Sequence, residues 1–232
     1  MSNPNRLLTA LPRDVQGRVL AQAQRVSLPK RTILNEAGDT FHYAYFPLNG
    51  MVSLLSMTED GDTVEVATIG NDGMIGLPIL LASAQAPYRV SVQLPTDVLR
   101  LRAENLRQEI STGPALHRVL SDYMQRLLGH MAQTAVCYRF HTVRQRVCRW
   151  LLTARDHADG NTLALTQESI AQTLGVPRTG VTAVAVELQD AGALRCRHGL
   201  ITVLNRAPLE AGSCECYRVL RDDAEAHVWS LR

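Results

Sequence analysis

The stretch from Leu163 to Leu204 admits little besides two short helices joined by a glycine turn and followed by a hairpin. Thr166 is a residue type whose hydroxyl caps a helix start, and Ile170, Ala171 and Leu174 share one face of the helix that follows. Gly175 stands where that helix must stop, in the left-handed conformation that glycine adopts cheaply. Pro177 suits the first turn of a second helix. Val181, Val184, Ala185 and Leu188 then recur at helical spacing over Arg178–Ala191, and Gly192 ends the run. Two such helices make a helix-turn-helix. Ala193–Cys196 and Leu200–Leu204 flank Arg197, His198 and Gly199, which reads as a hairpin with a basic tip.

In this arrangement the second helix sets its N-terminal side chains against base edges in a major groove. Arg178, Thr179 and Thr182 are the residues so placed, and Arg178 can fork onto guanine O6 and N7. Thr166 and Gln167, at a helix N-terminus, are expected to hold a phosphate, and Arg197 to work from the hairpin tip. Charge points the same way. The whole chain carries only +2, but residues 139–206 hold nine arginines against five acids. Lys30 is the only lysine, and arginine gives planar, bidentate contacts that lysine cannot match. Double-stranded DNA with a pseudo-palindromic site is the expected partner.

Upstream the texture changes. Thr32–Leu34, Tyr43–Phe46, Met51–Ser56, Thr63–Ile69, Tyr88–Gln93 and Asp97–Arg102 read as short strands separated by Gly, Asn and Asp turns. Many short strands at close spacing predict a sandwich or jelly roll, preceded by a helix near Pro12–Ala23. A long helical pattern over Pro114–Val136 follows, with Cys137–Phe140 as a hinge. Its apolar stripe is wider than one partner needs, which predicts the roll on one side and a second copy of the chain on the other. Leu116, Leu120, Tyr123, Leu127 and Met131 are the residues expected at that dimer seam. The fold class is therefore α+β. It comprises an N-terminal β-roll or jelly roll over 1–112, a long dimerisation helix and hinge over 113–138, and a C-terminal winged helix-turn-helix over 139–232.

Other chemistry is thin. The histidines form no H-E-x-x-H, and no nucleophile elbow, P-loop or G-x-G-x-x-G is present, so no catalytic residue is expected. Cys214 and Cys216 form a C-x-C, but spacing selects no further ligands from Cys196, His198 and His227, so no metal or cofactor is expected. His130 reads as a core or surface histidine rather than a haem ligand. An odd set of five scattered cysteines, and the lack of a signal peptide or apolar span, predict free thiols and a cytoplasmic protein with no membrane role.

Leu165 through Thr182, with Leu188 through Leu194 leading into the hairpin, resembles the DNA-reading segment of the Crp/Fnr family of bacterial regulators. The resemblance covers nearly the whole chain. It implies a roll like a cyclic-nucleotide-binding domain, a homodimer, a small-molecule effector, and RNA polymerase as a partner. Arg178 matches the first arginine of the family's recognition pattern, whereas Thr179 replaces its Glu and Ala183 its second Arg. The operator is thus expected to differ. In the family's nucleotide cassette, Gly76 and Arg89 match. Leu77 replaces the ribose-binding Glu and Val90 the small hydroxyl residue, and the long helix lacks the Thr-Ser pair of the cAMP-responsive member. Gly76, Leu77, Arg89, Val90 and Met131 are expected to surround an effector pocket that does not take cAMP. Two other readings compete. One is a redox sensor working through thiols, haem or a metal. The other is a protein-interaction module built on the same fold.

Overall fold

A computed structural model describes residues 5–81 and 83–229, excluding the side chains of 224–229. Two short helices, α1 (Arg6–Thr9) and α2 (Arg13–Gln22), lead into seven strands. These are β1 (Gln24–Leu28), β2 (Ile33–Asn35), β3 (Tyr43–Pro47), β4 (Met51–Met57), β5 (Thr63–Ile69), β6 (Arg89–Leu94) and β7 (Thr96–Arg102). They form two antiparallel sheets, ordered β1-β7-β3 and β2-β6-β4-β5, so each expected strand is found within a residue or two. Strand β1 was not foreseen, because Gln24 and Arg25 break the apolar alternation. It is an edge strand, held by pairing with β7 rather than by burial.

Helix α3 (Ala103–Thr112) follows, and α4 runs from Pro114 to Phe140. The expected hinge at Cys137–Phe140 is helical instead. The chain turns extended only at His141, where Thr142 and Gln145 form a capping box that starts α5 (Val143–His157).

The long helix also corrects the expected dimer seam. Leu116, Leu120, Tyr123 and Leu127 are buried, at 7% exposure or less, in the core shared with the roll's Phe46, Leu54, Ile75 and Leu101. Met131 is half-buried against the same core. The roll consumes the face on which Leu116, Leu120, Tyr123 and Leu127 lie, which leaves those four almost no surface for a second copy. The opposite face is apolar and open, with Leu128, Val136 and Phe140 among the exposed large side chains. Gly129, Ala132 and Ala135 lie exposed between them.

Beyond α5 come β8 (Thr162–Leu163), α6 (Gln167–Leu174), α7 (Arg178–Asp190), β9 (Leu194–Arg197), β10 (Leu200–Val203), α8 (Ala207–Gly212) and α9 (Cys216–Trp229). The three strands form a small antiparallel sheet ordered β8-β10-β9. A second core gathers Trp150, Leu152, Ile170, Leu174, Val181, Leu188 and Ile201, and takes in Met51 and Leu94 from the roll. Polar contacts tie the two parts further. Thr63 Oγ1 donates to the Gln172 carbonyl at 3.2 Å, Asn49 Nδ2 to Asp159 at 2.8 Å, and Lys30 Nζ to the Ala164 carbonyl. Glu65, 1% exposed on β5, is the central joint. Both its oxygens accept from the Trp150 indole, at 3.1 and 3.2 Å, and Ser53 and Thr68 also donate to it. Tyr138 Oη donates to the Glu65 carbonyl at 2.7 Å. Burial pushes this carboxyl above its ordinary range despite its donors.

Candidate nucleic-acid interface

The motif forms as its residue types dictate. Thr166 Oγ1 accepts from the Ser169 amide at 3.0 Å, and Ser169 Oγ accepts from the Thr166 amide at 3.1 Å. Gly175 closes α6 at φ 60°, ψ 43°, and a Cβ there would lie 3.3 Å from Val64 on the roll. The wing turns through His198 and Gly199, both at positive φ, as a tight two-residue hairpin requires.

Contacts join several of the expected DNA-facing residues. Thr182 Oγ1 donates to Gln167 Oε1 at 2.8 Å, which couples the start of α6 to α7. Arg178 Nε lies 3.6 Å from Glu168, and its side chain is 67% exposed, so the weak pair leaves it free to engage a base. Thr179 and Arg197 are exposed. The wing turn completes the surface, since a Cβ on Gly199 would sit 3.6 Å from the Thr166 methyl. Thr166 spends its hydroxyl on the cap, so any phosphate it helps to hold is met by first-turn amides rather than by its side chain.

The arginine excess is smaller in space than in sequence. Arg149 is buried, Arg144 pairs with Glu187 at 2.8 Å, and Arg206 pairs with Asp156 and Glu210 at 2.6 Å each. Those three cations serve the fold.

Of the expected effector residues, only Arg89 lines either of the two cavities described below. Leu77 and Val90 are buried in the roll's core, and Gly76 is a left-handed residue leading into a tight turn at Leu77–Leu80. Arg89 donates to Glu36 at 2.7 Å. It lines a cleft between the β4–β5 hairpin and the helix-turn-helix, shared with Thr63, Glu168 and Arg178. A different cavity of about 300 Å³ opens where the roll, α4, α5 and α9 meet, lined by Asp72, Tyr123, Arg126, His130, His157 and Tyr217 among others. The Nε2 atom of His130 is buried there without a hydrogen-bond partner. Burial, and after it the charge of Arg149, push this imidazole down to about 3.

Spacing selects no partners for Cys214 and Cys216, but the fold places two beside them. Cys137 and His141 converge on them, while Cys196 and His198 belong to the wing. The side chain of His227 lies outside the described residues. The i, i+4 spacing of Cys137 and His141 was a usable signal, although nothing in sequence links it to residues some 75 positions on. Neither Glu65 nor the unpartnered His130 announces itself in sequence.

Comparison with known proteins settles the class. A cyclic nucleotide-binding domain model matches residues 25–112, and a Crp-like helix-turn-helix domain model matches residues 145–211. The chain belongs to the Crp/Fnr family of transcription regulators. Within this family, the global nitrogen regulator of Synechococcus elongatus is 24% identical over 90% of this chain and 97% of its own. The cAMP-activated global regulator of Pasteurella multocida is 24% identical over 70% of this chain and 81% of its own. FixK2 of Bradyrhizobium japonicum has the same fold, with a TM-score of 0.69 at 19% identity over 83% of this chain and 98% of its own. The chain is thus a DNA-binding regulator of the Crp/Fnr type.

Proposed function

We propose that this regulator binds a pseudo-palindromic operator as a homodimer and answers to an effector other than cAMP. The observation that carries the reading is the continuous exposed surface formed by the start of α6, the start of α7 and the wing turn. Arg178 and Thr179 stand at its outer edge. Each subunit would lay α7 in one major groove, with half-sites about 34 Å apart. The second copy would meet the open face of α4 at Leu128, Ala132, Val136 and Phe140, where small residues let two helices approach closely.

Three features argue against cAMP. Leu77 offers no acceptor for a ribose hydroxyl, Val90 is sealed in the core, and a cyclic phosphate would have to displace Glu36 from Arg89. The thiols and the DNA partner favour a cytoplasmic location, with RNA polymerase as the downstream partner and no catalytic role.

The test is an Arg178→Ala variant titrated against a set of operators that differ at single positions. Discrimination should fall by about 1–3 kcal/mol at one base pair and stay intact elsewhere. A uniform loss across all operators would make Arg178 a phosphate contact and remove the base-reading role.

A further inference from the structure

Four ligand-bearing side chains meet where the long helix ends. Cys137 is on the last turn of α4 and His141 is its C-cap, while Cys214 and Cys216 flank the start of α9. Their ligand atoms all lie within 4.8 Å of one another. Cys137 Sγ is 3.6 Å from Cys214 Sγ, and Cys216 Sγ is 3.5 Å from His141 Nδ1.

These separations have a specific meaning. An ion held tetrahedrally by thiolates at about 2.3 Å and an imidazole at about 2.0 Å sets its sulfurs about 3.8 Å apart, and sulfur and nitrogen about 3.5 Å apart. The two measured edges fit that figure. An iron–sulfur cluster divides its four protein ligands among two or more irons and so spreads the set as a whole wider than the 4.8 Å that encloses these four atoms.

We propose that Cys137, His141, Cys214 and Cys216 form a tetrahedral site for one zinc-class ion that ties the end of α4 to the start of α9.

The surroundings are those of a built site. The Glu215 carboxylate lies 3.3 Å from His141 Nε2, which leaves Nδ1 facing the cysteines. A carboxylate behind a histidine is the usual way to orient a metal-binding imidazole. Gln133 Nε2 donates to Cys216 Sγ at 3.0 Å. Arg149 is 1% exposed, and its Nε and Nη2 have no hydrogen-bond partner. Three thiolates around a divalent ion carry one net negative charge, and a neighbouring buried cation offsets it. The site has a mechanical consequence. It would join the long helix, the turn at His141 and the C-terminal helix.

The experiment is a Co²⁺ titration of the full-length chain, stripped by chelator under reducing conditions. One equivalent per chain should give intense tetrahedral d–d bands and a thiolate-to-metal charge-transfer band, both abolished by adding one equivalent of Zn²⁺. Cys216→Ser should lower the charge-transfer intensity by about one third, as one of three thiolates is lost. Glu215→Ala, a change at an exposed side chain, should weaken binding by about 10–100-fold. Cys196→Ser, on the wing, should change nothing. Circular dichroism confirms that each variant is folded, and the wild-type spectrum needs no variant at all. The proposal is overturned by a weak octahedral spectrum, by binding indifferent to Cys216→Ser, by an iron–sulfur chromophore in the isolated protein, or by a Cys137–Cys214 disulfide that persists in place of metal-binding thiols.

Discussion

Single residues decide what this regulator reads and how its parts hold together. On the proposed reading Arg178 forks onto guanine, and Thr179 stands where the family resemblance implies a carboxylate that accepts from cytosine, so the operator should differ at that position. Thr179→Glu should shift preference toward cytosine at one base pair, which a selection from random DNA would read directly. Glu65 is the matching residue for cohesion. Trp150→Phe leaves its buried carboxylate short of the only donor from α5, and should cost about 1–3 kcal/mol in a urea titration. His130 makes the fold sensitive to acid. Burial and then Arg149 hold its imidazole down at about 3, well below the ordinary 6.5, so the unfolded chain takes up a proton that the native one refuses. The contribution of this group to stability is complete above about pH 6.5 and falls as pH drops toward 3, by at most about 1.4 kcal/mol per unit. Asp72, held low by His157 and Arg126 against the opposing effect of burial, loses its contribution only below its ordinary 3.8. Comparing His130→Leu with the parent between pH 7 and 5 should therefore show a shallower slope in the variant.

At the scale of elements, the long helix explains most about what the sequence disclosed and what it withheld. Its existence follows from apolar spacing, but the assignment of its faces does not. Leu120 and Leu128 are the same residue type eight positions apart, yet the first is fully buried against the roll and the second is 62% exposed. Periodicity reports that a stripe is wide and leaves open which partner takes which side. The two faces separate by experiment. Leu120→Ala should cost about 2–5 kcal/mol of folding stability. Leu128→Asp should leave the fold intact and yield monomers in sedimentation. The helix-turn-helix was legible almost to the residue, because its caps and glycines are local signals. Gly175→Ala tests one of them, and should cost about 1–2 kcal/mol for the left-handed backbone alone. Strand β1, the reach of α4 to Phe140 and the convergence of Cys137 and His141 on Cys214 and Cys216 were not legible. Each depends on partners far along the chain.

Among the described residues two large cores meet across a border that carries polar and charged contacts as well as Met51 and Leu94. Glu65, Asn49, Lys30 and Thr63 on the roll each touch the DNA-reading part directly, and the cavity around Asp72 and His130 opens between them. On the proposed reading, a change in the roll would reach α6 through contacts already in place, and an effector would need only to favour one arrangement of that border over another. All of this presumes that the outer surface of α6, α7 and the wing reads sequence. The decisive measurement is a gel-shift titration of the full-length protein against a genomic fragment library at physiological salt. A small set of fragments that share an inverted repeat should bind at least about 10³-fold tighter than bulk DNA. If no fragment exceeds bulk DNA, the surface does not read sequence.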